Sequence, residues 1–289
     1  MRLAGLFVGA ICVGGLAPAT GHAVAVEEIA LQVPVKDAQG HAWTMRGHVC
    51  RPATQAQVPL AVVNHGSISN KSERAAMEPE PCDGPIARWF VSHGFAAAFV
   101  LRLGHGRVDS PWIESFDCTR EGFRRSGLET ARQIQAIVDA ASRLPHIAAD
   151  RVVVVGHSAG GWGTIAYVSQ PHANVVAAIN ISGGRGGHYL NKPNSNCHPE
   201  HLIEAAADFG KTATLPMLWV YARNDSFFGP ARALSLQHAF SAAGGIARLV
   251  ETAESGSEGH ALFYEDPDIW GPPFAEYLAA RDALPAAAR

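Results

Sequence analysis

Charge of one sign is what this sequence most clearly lacks. Over 289 residues the formal net charge is −3 and the isoelectric point lies near 6.5, so there is no basic excess of the kind that draws a protein to nucleic acid. No two cysteines form a C-x-x-C pair, which leaves zinc and redox motifs unsupported. Glycine and proline, 29 and 18 residues, are spread among the connections. They build neither a low-complexity block nor an internal repeat, which excludes linker-like and solenoid architectures. The apolar run near the start, Leu3 to Leu16, is too short to cross a bilayer as a helix. What remains is a chain 47% hydrophobic and 17% charged, with enough apolar side chain for one large globular core.

That apolar run follows Met1-Arg2 and precedes the small-x-small pattern Ala23-Val24-Ala25. Residues 1–25 therefore read as a secretory signal peptide, with cleavage after Ala25 preferred over Ala19 or Ala23, and residues 26–289 as the mature domain. A secreted or periplasmic protein with no stable membrane association is expected. Removing Cys12 with the leader leaves Cys50, Cys82, Cys118 and Cys197 in an oxidising compartment, where they are expected to pair.

The stretch that carries chemistry is RVVVVGHSAGG, Arg151 to Gly161. Four valines read as a buried strand, and GWGTIAYVSQ after the motif reads as a helix. Between them Gly156-His157-Ser158-Ala159-Gly160 fits G-x-S-x-G, the turn that lifts a nucleophilic serine out of a strand-to-helix bend. Small residues are needed on both sides because strand and helix cross close to the serine. The bland alternative is a helix cap in which Ser158 only bonds the helix start. The strand before and the helix after favour the nucleophile.

Elsewhere the chain alternates strands and helices. Val26–Val33 and Trp43–Cys50 read as a hairpin around Lys36–Gly40, and Leu60–Asn64 as a buried strand ending in the turn His65-Gly66-Ser67. A helix starting at Pro85 precedes a strand over Ala96–Leu103, and Leu103–Arg120 is a long loop, a length that is usually functional or disordered. Glu129–Leu144 has helical periodicity. Further strands are expected at Val175–Ile181, Leu215–Ala222 and Ala247–Thr252, and helices at Pro199–Phe209, Pro230–Ala243 and Pro272–Ala280. Residues 182–214 form an insertion that could serve as a small cap. Such alternation after an initial hairpin implies an α/β fold, a mostly parallel eight-stranded sheet with helices on both faces.

In such sheets the loops beyond the carboxyl ends of the strands gather at one face. Asp225 follows the strand LPMLWVYA and His260 follows the last strand, so both should meet Ser158 there, in the order Ser, Asp, His. Asp208 and Asp266 are weaker candidates for the acid. The backbone N–H of Ala159, at the helix start, is positioned as an oxyanion donor. Trp112, Phe116, Trp162, Phe227 and Phe228 are candidates for an acyl pocket, with Trp162 and Phe228 equally readable as core. The cluster Cys197-His198-Pro199-Glu200-His201 could suggest metal ligands, but a loop cluster of this kind is more often solvent-facing, and no metal is expected. Of the cysteines, Cys82, Cys118 and Cys197 lie in connections at the carboxyl-end face, whereas Cys50 ends an antiparallel strand toward the opposite one. The expected bridge is Cys82 to Cys118.

The elbow GHSAGG, the acid segment ARNDSFF and the glycine-histidine pair of the last loop together make the chain resemble an α/β-hydrolase of the dienelactone hydrolase-like, prolyl-oligopeptidase-related branch, over essentially the whole mature chain. The resemblance implies an acyl hydrolase without metal or organic cofactor, acting on a small-molecule ester. It also implies that the turn after Leu60–Asn64 supplies the second oxyanion donor, the N–H of Ser67, by its place after His65-Gly66. Dienelactone hydrolases proper use a cysteine nucleophile where Ser158 stands here, which argues against dienelactone itself as substrate. Two alternatives to a serine esterase are a peptidase or amidase, which the lack of a propeller-length segment before the catalytic region weakens, and a non-catalytic binding protein on the same scaffold.

Overall fold

The computed structural model describes residues 25–106 and 110–285. The expected signal peptide lies, apart from Ala25, outside the described residues. Strands β1 (Val26–Lys36) and β2 (Ala42–Pro52) form the expected hairpin. Asp37 fixes its turn by accepting the backbone N–H groups of Gln39 and His41, both at 2.9 Å. Along β1 buried and exposed residues alternate from Ala30 onward, the pattern of a strand with one face in the core.

Beyond the hairpin come β3 (Val58–Asn64), α1 (Lys71–Ala75), α2 (Pro85–Ser92), β4 (Ala96–Leu101) and α3 (Arg120–Ala141). They are followed by β5 (Ile147–His157), α4 (Ala159–Tyr167) and β6 (Val175–Ile181). The chain continues through α5 (Pro199–Gly210), β7 (Met217–Ala222), α6 (Pro230–Ala242), β8 (Ala247–Thr252), α7 (Leu262–Glu265) and α8 (Pro267–Ala280). The eight strands make one open sheet in the order β1-β2-β4-β3-β5-β6-β7-β8. β2 runs antiparallel to both of its neighbours, β1 and β4, and the other five pairs are parallel.

β3, β4 and β7 are buried at every position, because helices cover both faces. One apolar layer joins the sheet to α3, α4, α5 and α6 through residues such as Phe123, Ile134, Trp162 and Phe209. The other joins it to α2, α7 and α8 through Ile86, Phe90, Phe263 and Phe274. β8 is one of the two edges, and among its residues only Thr252 is buried.

Helix α3 begins at Arg120 rather than Glu129. Thr119 caps it, accepting the Gly122 N–H at 3.0 Å. The buried face of the first turns includes Gly122, Ser126 and Gly127, small residues that carry no apolar periodicity. At Gly127 a Cβ would lie 2.9 Å from the Phe209 ring and 3.0 Å from the Ala166 methyl, so close packing rather than hydrophobicity selects it.

The disulfides are Cys50–Cys82 and Cys118–Cys197, which corrects the expected Cys82–Cys118 pairing. Sorting cysteines by the ends of the strands missed the direction of the Cys50 side chain, which joins the α2-side core. The segment before α2 crosses that face of β2. His48 lies 2.8 Å from the Glu80 carbonyl, and two residues farther along each segment Cys50 meets Cys82. Cys118 is left to tie the loop before α3 to the insertion between β6 and β7.

Candidate active site

β5 ends in the motif read as a nucleophile elbow. Ser158 has φ 53° and ψ −116°, a backbone state that costs on the order of 1–3 kcal/mol and persists only where the surroundings enforce it. They do so through glycine. A Cβ at Gly156 would stand 2.1 Å from the Gly160 carbonyl oxygen, and one at Gly160 would stand 2.4 Å from that of Asn64. The strand and α4 can cross this closely only because both residues lack side chains.

Three sequence-predicted residues converge here. His260 Nδ1 lies 3.1 Å from Asp225 Oδ2, and its Nε2 lies 3.0 Å from Ser158 Oγ. Because the carboxylate requires a proton on Nδ1, Nε2 presents its lone pair and Ser158 donates its O–H. Asp225 is 1% exposed, and its Oδ1 accepts the N–H groups of Phe227 and Phe228 at 2.8 and 2.9 Å. Burial opposes its charge, but the His260 bond, the nearby imidazole and these two amides outweigh it and hold the carboxyl below its ordinary value. The rival acids are engaged elsewhere. Asp208 pairs with Arg120 and Lys211, and Asp266 accepts from Ser255.

The turn after β3 lies against the serine: a Cβ at Gly66 would be 3.1 Å from Ser158 Cβ. His65 orients this turn. Its Nε2 accepts the Arg102 N–H at 3.0 Å, so its Nδ1 carries the proton and donates to the Gly66 carbonyl at 2.5 Å. In a trans peptide C=O and N–H point in opposite directions, which turns the Ser67 N–H away from His65. The Ser67 hydroxyl donates to His105 Nε2 at 2.8 Å, while His105 Nδ1 faces the Arg102 carbonyl at 3.2 Å. Ala159 opens α4, and the first amides of a helix have no intrahelical acceptor. Ser67, Ala159, Ser158 and His260 line one cavity of about 950 Å³.

Of the candidate pocket aromatics, Trp112, Phe116, Phe227 and Phe228 line this cavity. Trp162 does not: it is fully buried, and its indole N–H donates to the Phe123 carbonyl at 2.9 Å.

Several residues that the sequence did not single out shape the site. Glu114, fully buried in the loop after β4, accepts from Arg102 Nε at 2.8 Å, from Arg185 Nη2, and from the Thr130 hydroxyl at 3.2 Å. Burial alone would raise its pKa, but the two guanidinium groups hold it well below the ordinary value. Burial and the Arg102 charge depress His65, and burial lowers His105 to about 4 against the pull of Glu114. His157 is likewise lowered, to about 3, by burial and by His260. Its Nε2–H donates to the His260 carbonyl at 2.8 Å, which ties the elbow to the last loop.

Outside the cavity, His198, Glu200 and His201 bring potential ligand atoms within 4.8 Å of one another. Each ring already has a partner: His198 Nδ1 sits 3.1 Å from Glu200, and His201 Nδ1 donates to the Cys118 carbonyl at 3.0 Å. Cys50 and Cys82, grouped with His48, are bound in a disulfide.

The family model described as the dienelactone hydrolase family matches residues 48–283. No curated protein sequence matches. Solved structures share the fold. A Klebsiella pneumoniae protein assigned as a dienelactone hydrolase superposes with a TM-score of 0.60 at 17% identity, over 89% of this chain and 99% of its own. An esterase from Pyrococcus furiosus gives 0.59 at 13% identity, over 93% and 97%. The acylaminoacyl peptidase of Pyrococcus horikoshii gives 0.64 at 17% identity, and here the matched region is 89% of this chain but 42% of the peptidase.

Proposed function

The chain belongs to the dienelactone hydrolase family and is a hydrolase, and on that premise we propose that it is an exported serine hydrolase cleaving carboxylic esters through a Ser158–His260–Asp225 triad and an acyl-enzyme. The observation that carries this reading is the unbroken relay from Asp225 Oδ2 through His260 to Ser158 Oγ, with links of 3.1 and 3.0 Å.

A serine hydroxyl is a weak nucleophile near neutral pH. In the proposed cycle Ser158 Oγ attacks the acyl carbon as His260 Nε2 takes its proton, and Asp225 stabilises the imidazolium that results. The oxyanion of the tetrahedral intermediate accepts the N–H groups of Ser67 and Ala159. One such donor is worth roughly 2.7–4 kcal/mol of transition-state stabilisation. Collapse expels the alcohol, which leaves with the proton from His260. Water, activated by the same imidazole, then adds to the acyl-enzyme and releases the acid and the free serine. An ester asks least of the site, because an alkoxide leaves the tetrahedral intermediate more readily than an amide nitrogen. The family and the esterase fold relative point the same way. The two disulfides fit an oxidising destination after removal of residues 1–25, and within 182–214 the part ahead of α5, which lines the cavity through Gly184–His188 and Asn191, serves as the cap over the site.

A fluorophosphonate probe should label wild type at Ser158 and leave Ser158→Ala unlabelled, with p-nitrophenyl ester hydrolysis lost by at least about 10⁴-fold in the variant. Absence of labelling in the folded wild type would overturn the triad reading and favour a binding protein. Faster turnover of peptide amides than of esters would replace the esterase by an amidase.

A further inference from the structure

Asp225 and His260 stand on strands of different security. β7 is buried at every residue, whereas β8 is the exposed edge of the sheet. Yet the imidazole must keep hydrogen-bond distance at both of its nitrogens, a tolerance of about half an ångström. Something has to pass the placement of the inner loop on to the outer one.

We infer that Glu258 is the positioning residue that holds the acid loop and the histidine loop in register. This rests on the triad reading above. Glu258 lies on the loop after β8, two residues before His260, and its side chain caps the short turn Gly259–Ala261. Its Oε1 accepts the His260 N–H at 2.9 Å and the Ser226 N–H at 3.1 Å. Its Oε2 accepts the Ser226 O–H. One carboxylate thus grips the backbone of the histidine and of the residue next to the acid. Burial disfavours its charge, but the Ser226 hydroxyl and the two amides overcome this and keep its pKa below the ordinary value.

The insertion adds a further arm. Since Ser226 gives its proton to Glu258, its oxygen is free to accept from His188 Nε2, 2.6 Å away. The His188 ring stacks on Phe227 at 3.6 Å, and Phe227 stacks on His260 at 4.2 Å, so the imidazole plane is fixed from the same side. Farther back, Asn224 braces the two loops independently: its side chain bonds to Ser255 and Gly256, and its carbonyl accepts the Gly259 N–H at 3.3 Å. That brace keeps the loops folded without Glu258 and leaves the finer adjustment to the carboxylate.

The test is steady-state kinetics on an ester substrate with thermal melting of each variant. Glu258→Ala should lower kcat about 10- to 100-fold with KM changed less than about threefold, the mark of misplaced reacting groups rather than lost substrate binding. Glu258→Gln keeps an oxygen for the two amides and should recover to within about fivefold of wild type. Glu258→Asp keeps the charge but falls short by a methylene, and should resemble the alanine variant. If alanine destabilises the fold, the Gln and Asp pair decides alone. Wild-type kcat in Glu258→Ala or Glu258→Asp, or equal damage from Gln and Asp, overturns the inference while Ser158→Ala remains inactive. Activity in Ser158→Ala would instead remove the triad reading, and the role of Glu258 with it.

Discussion

The two sides of Ser158 are built in different ways. On the side of the proposed acid and base, Asp225 and His260 sit in loops after β7 and β8, and neighbours in sequence bond to each: Phe227 and Phe228 to Asp225, Glu258 to His260. On the side of the proposed oxyanion donors, the turn His65-Gly66-Ser67 is held by groups from the end of β4, by His105, and through Arg102 by Glu114 and Arg185. In the proposed cycle the first side places the charges that change. The second buries charges and neutral imidazoles whose task is to hold a backbone still. Its stability therefore depends on the pairing of Glu114 with the two guanidinium groups, because an unpaired buried charge is far more costly than an unpaired exposed one.

The largest difference should appear on replacing one carboxylate from each side. Asp225→Asn keeps an oxygen for the Phe227 and Phe228 amides but presents an amide N–H to His260 Nδ1, favouring the wrong tautomer. Ester turnover is expected to fall by about 10⁴-fold with the melting temperature little changed. A loss below about tenfold would show that the acid is elsewhere. Glu114→Ala should act in reverse, leaving Arg102 and Arg185 buried without their counter-charge. A loss of about 3–5 kcal/mol is expected in urea unfolding, and a cost under about 1 kcal/mol would mean that the two guanidinium groups find water instead.

A third effect is graded with pH. His65, His105 and His157 are all depressed below 6.5 in the fold, so between that value and their folded values the unfolded chain binds more protons than the native one. Their contribution is complete above about pH 6.5 and is lost as pH falls, by up to roughly 1.4 kcal/mol per pH unit for each histidine. Asp225 and Glu258 are depressed carboxylates. Their contribution is present above the ordinary values of 3.8 and 4.5 and is lost only as pH falls below them. Chemical denaturation between pH 7 and 4.5 should thus show a decline due mainly to the histidines, and His105→Asn should make it shallower. A flat profile would contradict neutral burial of these rings.

Much of the base side was legible in the sequence. Strand ends locate Asp225 and His260, and the glycines around Ser158 announce the bend. Glu258 left a faint trace, a carboxylate two residues before the histidine, but its second partner, Ser226, lies on another loop. Glu114 left none. It stands in a long loop without helical or strand periodicity, and its partners Arg102, Thr130 and Arg185 come from three other segments. The cysteines failed for a related reason: which face of β2 Cys50 occupies depends on pairing with β4, and the course of residues 78–82 over that face is set by packing against α2.

By itself the sequence determined the alternation of buried strands and helices, the elbow, and the order in which serine, acid and histidine meet, because these follow from local periodicity and from glycine at positions no larger residue can fill. The tertiary structure alone decided the disulfide pairing, the buried ion cluster behind the turn His65-Gly66-Ser67 and the clamp between the last two loops. Each of these depends on which side chains face one another across segments distant in the chain, and no local pattern encodes that.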